Sequence, residues 1–370
     1  MRLKGWLVAG SLGGLGAMAA VLATLCLGSG CSSVGYLAQS VQGHLQLVGS
    51  ARAVSAWQTD ETTPPELRER LALSQRMRDF AVQALALPDN RSYRSYADLG
   101  RPAAVWNVVA APELSLDLVT SCFPVVGCVG YRGYYAQAAA EAAGQALRAQ
   151  GLEVSVYPVP AYSTLGKTNL LGGDPLLNTF IRWPEGELAR LIFHELAHQV
   201  VYAEGDTTFN ESFATAVERL GGERWLTTQA GEPARQAQAT LDARRADFRA
   251  LTARTRAELQ ALYQSGQDAA ALRAGKARIL AQLRADHAAL KAGRWQGFQG
   301  YDAFIAQANN ASLGVQAAYH QWVPAFVALY EQQGRDFPRF YAEVARLAAL
   351  PAAARRATLQ ALMPADAPKG

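Results

Sequence analysis

The segment LARLIFHELAHQVVY, residues 188–202, constrains this chain more than any other. Leu188, Leu191, Ile192, Leu196 and Val200 recur at helical spacing, so it reads as a buried helix with His194 and His198 one turn apart on one face. Imidazoles on an apolar helix need partners for their ring nitrogens. Zinc accepts neutral imidazole at about 2 Å, and a catalytic site keeps one position open, so two histidines, one further ligand and solvent would complete a tetrahedron. Glu195, next along the helix, is then expected to act as general base toward the water and to return the proton to a leaving amine. The pattern uses two of only five histidines, and its chance occurrence in such a chain is on the order of a few per thousand.

The third ligand is read from the segment C-terminal to this helix. Gly205 and Asp206 close the first helix, and TTFNESFATAVERL opens another with Phe213, Val217 and Leu220 apolar, so a returning helix could present Glu211 to the metal. Thr208 and Glu211 also have the spacing of a capping box, which would turn Glu211 toward backbone. Glu218, two turns on, shares its face, and Glu204 is nearer in sequence. Glu211 is the preferred ligand, with Glu204 and Glu218 as alternatives.

The N-terminus carries Arg2 and Lys4, then a long stretch free of charge, then Gly28, Ser29 and Gly30 before Cys31. That is the layout of an export signal with a lipobox-like end, giving a signal peptide over residues 1–30 and a lipid on Cys31. An uncleaved anchor over residues 6–27 is the alternative, since that length can span a bilayer. Either way the body is expected outside the cytoplasm, and its two cysteines, Cys122 and Cys128, are expected to form a disulfide around a small loop. The formal charge of +4 is spread along the 370 residues and includes the two N-terminal cations, so nucleic acid is not expected as a partner.

Periodicity predicts helices over residues 36–57 and from Pro65 through Leu87. It then predicts strand, helix and strand over 105–109, 136–149 and 152–159. Residues 233–292 have apolar positions Leu241, Phe248, Leu251, Leu259 and Leu262 near a heptad seam, with Gly266 as the turn of a helical hairpin projecting from the body. Helical patterns resume over 312–333 and 337–350. The prediction is an α+β, mostly helical domain over residues 31–363 with a small sheet, a hairpin insertion at about 233–292 and a frayed tail at 364–370. Tyr319 and His320 are candidates to steady a developing oxyanion. Tyr162, Ser163 and Thr164, after the second strand, are candidates to bind substrate backbone along a sheet edge. His44 and His287 are expected to be solvated and are assigned no role. The arginine-rich hairpin is read as a charged solvent face, with its protein partner, if any, unassigned.

The stretches CFPVVGCVGYRGYY, AYSTLG, RWPEGELARLIFHELAHQVVYAEGDTTFNESFATAVE, NNASL and YHQWVPAF resemble zinc aminopeptidases predicted for Gram-negative envelopes, which are usually lipoproteins. The resemblance runs from about Cys31 to about residue 350 and is weakest in the hairpin. It implies a zincin-like fold, zinc held by two histidines and a glutamate, and hydrolysis of peptides. It accords with Cys31, His194, Glu195, His198 and Glu211 in the roles given above. The expected protein is a lipid-anchored zinc peptidase of the bacterial envelope, facing the periplasm from the outer membrane, with peptides as substrate. The alternatives are a catalytically silent zinc-containing scaffold and hydrolysis of a non-peptide amide.

Overall fold

The computed structural model describes residues 39, 42–43, 45–123, 127–161, 172–317 and 321–364. Cys31, His44, Tyr162, Ser163, Thr164, Tyr319 and His320 therefore lie outside the described residues, as does the N-terminal export segment. The chain divides into two compact units, Met1–Gly49 and Ser50–Gly370. In the first, residues 45–49 are helical.

The second unit is α+β and mostly helical, as the sequence predicts. Strand β1 (Arg52–Ala53) and helix α1 (Val54–Thr59) replace the second half of the helix expected over residues 36–57. The reason is tertiary: Arg52 and Ala53 pair antiparallel with Tyr96 and Ser95 of β2 (Ser95–Ala97), and sheet pairing overrides local periodicity. Helix α2 (Pro65–Leu85) follows, with Pro65 in its first turn, where a missing N–H costs nothing, and Leu67, Leu71, Met77, Ala81 and Leu85 buried.

Among the described residues the strands form three small sheets where one was expected. In the first, β2 lies between β1 and β8 (Leu176–Leu177). The second places β3 (Val105–Ala111) between β6 (Arg132–Tyr134) and β7 (Glu153–Val159), both antiparallel to it. All seven residues of β3 are buried, and all but Asn107 are apolar. Trp106, Val108 and Ala110 pack with Ala140 of helix α3 (Gln137–Arg148), and Val109 and Ala111 pack with Ala311 on the other face. In the third, β4 (Ser121–Phe123) and β5 (Gly127–Val129) pair antiparallel with Cys122 opposite Cys128.

Helices α4 (Glu185–Ala197) and α5 (Thr207–Thr228) pack on one another in the core of the second unit. Leu188, Ala189, Ile192, Phe193, Leu196 and Ala197 of α4 are fully buried. On α5, a Cβ at Gly221 would come within 2.7 Å of Leu85 and 3.0 Å of Phe193, and one at Gly222 within 2.7 Å of Arg190. These two glycines set how closely α5 can lie on α2 and α4.

Helices α6 (Glu232–Tyr263) and α7 (Ala269–Ala292) are the expected hairpin, turning at Gly266 with φ of 73°. The hairpin does not project. Phe248, Leu251, Leu259, Leu280 and Leu283 form one core with Leu116 and Leu313 of the body. Arg273 grips Glu113 through two 2.8 Å bonds, and Lys276 bonds Glu153 and the Glu113 carbonyl. His287, expected in solvent, is buried against Trp295 with ring centroids 5.5 Å apart. Its polar sequence neighbours face outward while its own ring faces the seam. Helices α8 (Asp302–Ala306), α9 (Asn310–Ala317), α10 (Val323–Gln332), α11 (Phe337–Ala348) and α12 (Ala352–Leu362) complete the fold.

Candidate metal centre

Pro184 caps the start of α4, and Glu185 and Glu187 occupy its first turn, where carboxylates complement the helix dipole. The helix ends at Ala197, but His198 keeps a right-handed backbone and its N–H still bonds the His194 carbonyl at 3.3 Å. The one-turn relation of the two histidines therefore holds through the helix end. Their Nε2 atoms lie 3.2 Å apart.

Glu211 enters from α5. Asp206 caps this helix by accepting from the Phe209 N–H at 3.0 Å, so the capping-box alternative for Glu211 falls away. Its Oε2 lies 3.4 Å from His194 Nε2 and 3.8 Å from His198 Nε2. A tetrahedral ion with bonds near 2 Å separates its ligand atoms by about 3.3 Å, so the three donor atoms approximate one face of such a tetrahedron. Among the described residues, His194, His198 and Glu211 thus form a group able to hold a metal ion. Glu204 is exposed, on the loop between the helices.

Glu218, the other alternative ligand, has a different partner. Its Oε2 is 2.8 Å from His194 Nδ1, on the side of the ring away from Glu211. A carboxylate at that nitrogen fixes the tautomer that leaves Nε2 free to bind metal. Burial opposes charge on His194, but the hydrogen bonds with Glu211 and Glu218 outweigh it and raise its pKa well above the ordinary value. Burial pushes His198 down to about 4 despite Glu211 nearby. Burial also pushes the carboxyls of Glu211 and Glu218 up, yet bonding with His194 leaves both below their ordinary range. Metal binding at these donors would therefore compete with protons.

The three residues of the NES triplet are all used, two of them in ways that the sequence did not reveal. Asn210, almost fully buried, accepts from the Ala203 N–H at 2.7 Å and donates to the Ala203 carbonyl at 2.8 Å, which pins the loop joining the two ligand helices. Ser212 accepts the Trp322 N–H at 3.1 Å and so anchors the start of α10. Arg355 of α12 bonds the Asp206 carboxylate at 2.8–2.9 Å and lies over the Phe209 ring. Gln199 bonds Asn90 at 2.6 Å and Ser92 at 3.2 Å, tying the end of the histidine segment to the loop after α2.

Glu195 is half-buried on α4, and its charge acts on His194 and on the buried Tyr93. Tyr157 of β7 accepts a bond from Asn107 at 3.4 Å, and both its burial and the nearby Glu211 raise its pKa. The strand that leads into residues 162–164 therefore passes close to the ligand group.

A mostly helical α+β protein with a two-histidine, one-glutamate group able to hold a metal is the class that fold and site define. The chain matches the model of a family described as "Putative aminopeptidase" over residues 35–359, and it belongs to that family. No curated protein and no solved structure matches it.

Proposed function

We propose that the chain is a zinc-dependent peptidase, acting as an aminopeptidase, with His194, His198 and Glu211 as the metal ligands. The observation that carries this reading is the 3.2, 3.4 and 3.8 Å triangle of donor atoms, with Glu218 behind His194. The donor set favours zinc, which takes imidazole and carboxylate ligands and tolerates an open fourth position. When bound, zinc would supply Lewis acidity to a peptide carbonyl and to water.

The protein's own residues account for the remaining steps. Glu195 takes the proton of the attacking water and delivers it to the leaving nitrogen, as its place beside the first histidine ligand suits it to do. Glu218 holds the His194 ring in one orientation throughout. Tyr319 and His320 are the proposed donors to the oxyanion. Tyr162, Ser163 and Thr164 are proposed to bind substrate backbone; β7, which leads toward them, is an outer strand of its sheet. Lipidation at Cys31, a Cys122–Cys128 disulfide and attachment to the outer membrane facing the periplasm belong to the same proposal. The opposed register of the two cysteines supports the disulfide.

The test is digestion of a peptide library read by mass spectrometry, with and without a chelator, alongside zinc analysis of the protein. Zinc-dependent release of N-terminal residues is expected. Cleavage indifferent to chelation, or zinc that survives loss of Glu211, would refute the assignment.

A further inference from the structure

On the side of His194 that Glu218 occupies, the structure has a cavity of about 620 Å³ whose other lining residues none of the steps above uses. Its wall carries five arginines: Arg190 from α4, Arg219 from α5, and Arg235, Arg245 and Arg249 from α6. Acids answer three of them. Arg190 makes a two-pronged bond with Asp242 at 2.6 and 2.8 Å, Arg245 shares that carboxylate at 3.0 Å and also bonds Glu187, and Arg235 pairs with Glu232 at 2.9 Å. Arg219 and Arg249 are left. Among the described residues neither has a carboxylate within ion-pair distance, and Glu218 and Asp242 act on them only from further away. Glu218 is itself engaged with His194.

This arrangement is costly as it stands. Both side chains are half-buried, and burial together with the charge of Arg249 pulls Arg219 down to about 10. Burial and Arg245 lower Arg249 in the same way. Cations withdrawn from water and set near one another are stabilised by an anion that both can reach. Two guanidinium forks suit an acceptor with several oxygens and more than one negative charge better than they suit a single carboxylate. The mouth is accessible, since Glu223, Thr227 and Arg235 are exposed.

We infer that this cavity is a binding site for a phosphate-class anion, either free phosphate or the headgroup of an anionic phospholipid, recognised by Arg219 and Arg249. The site is distinct from the peptidase centre and separated from it by Glu218, so the inference stands whether or not the zinc reading does. Its readout is binding, not turnover.

Inorganic phosphate is titrated calorimetrically into the full chain, into R219Q/R249Q and into R356Q, which removes an exposed arginine of α12. The expected result is saturable binding by the parent chain and R356Q, weakened at least tenfold in the double variant. Sedimentation with phosphatidylglycerol against phosphatidylcholine vesicles separates the sources. Selective binding to phosphatidylglycerol, lost in the double variant, assigns the headgroup, and phosphate binding alone assigns the free ion. Equal binding by all three proteins, or no binding in either assay, overturns the site. Should the double variant not fold, phenylglyoxal labelling of the parent chain decides: phosphate or phosphatidylglycerol must protect Arg219 and Arg249, and unprotected labelling rejects the proposal.

Discussion

The paired helices α4 and α5 and the hairpin α6 and α7 are each two consecutive helices packed on one another, yet they are held together differently. The first pair buries a broad apolar face, approaches closely through Gly221 and Gly222, and places buried polar groups at the candidate metal centre and on the loop between the helices. The second has a narrow seam of Phe248, Leu251, Leu259, Leu280 and Leu283, flanked by ion pairs such as Arg254–Asp286 and Arg273–Glu113. Buried polar contacts with few substitutes fix geometry, whereas partly exposed ion pairs contribute little each. A site that needs three donor atoms placed within a few tenths of an ångström belongs on the first kind of pair.

The comparison is broken most directly at Glu195. Glu195→Gln should lower peptide turnover by about 10²–10⁴-fold while zinc content stays constant; full turnover in this variant would remove the proposed base. Next in size is Asn210→Ala. It leaves the Ala203 N–H and carbonyl without their partner, so a loss of about 2–4 kcal/mol in chemical denaturation is expected, with weaker zinc retention because the loop between the ligand helices is freed. Glu218→Gln should weaken zinc binding by about 10–100-fold in competition with a chelator, the usual effect of removing a carboxylate behind a ligand histidine. Equal zinc affinity would mean that the His194–Glu218 contact orients nothing.

The hairpin should respond far less. Arg254→Ala is expected to cost under about 1 kcal/mol in the same denaturation experiment, since Arg254 is more than half exposed and Asp286 partly so. Asp242 gives the matching pH test. Burial raises its carboxyl, but the bond from Arg190 prevails and holds it below the ordinary aspartate value. Its stabilising effect is therefore complete above that ordinary value of about 4 and is lost as the pH falls through the lower folded value. Asp242→Asn should melt below the parent at pH 7, with the gap closing in acid. A gap that widens in acid would contradict the sign of this linkage.

The parts of this structure that the sequence disclosed are those governed by local pattern. The helical spacing around His194 and His198, the returning helix with Glu211 and the hairpin turn at Gly266 all follow from periodicity and turn chemistry within a short window. What stayed hidden depends on partners distant in sequence. Arg52 joins a strand only because Tyr96 is there to pair with it. Glu218 and Glu211 lie on one helix face, and nothing local says which faces Nε2 and which Nδ1 of the same ring. His287 sits on a polar stretch, and Trp295 and Asp302, brought in after α7, lie against its ring.

The tie between Arg355 and Asp206 joins two elements far apart in the chain. Asp206 begins the helix that carries Glu211, and its guanidinium partner lies 149 residues further along the chain. A polypeptide that ends before α12 would start that helix on a carboxylate with no counterion. Helix α12 thus serves as a latch on the Glu211 helix, coupling its own docking to the placement of that carboxylate.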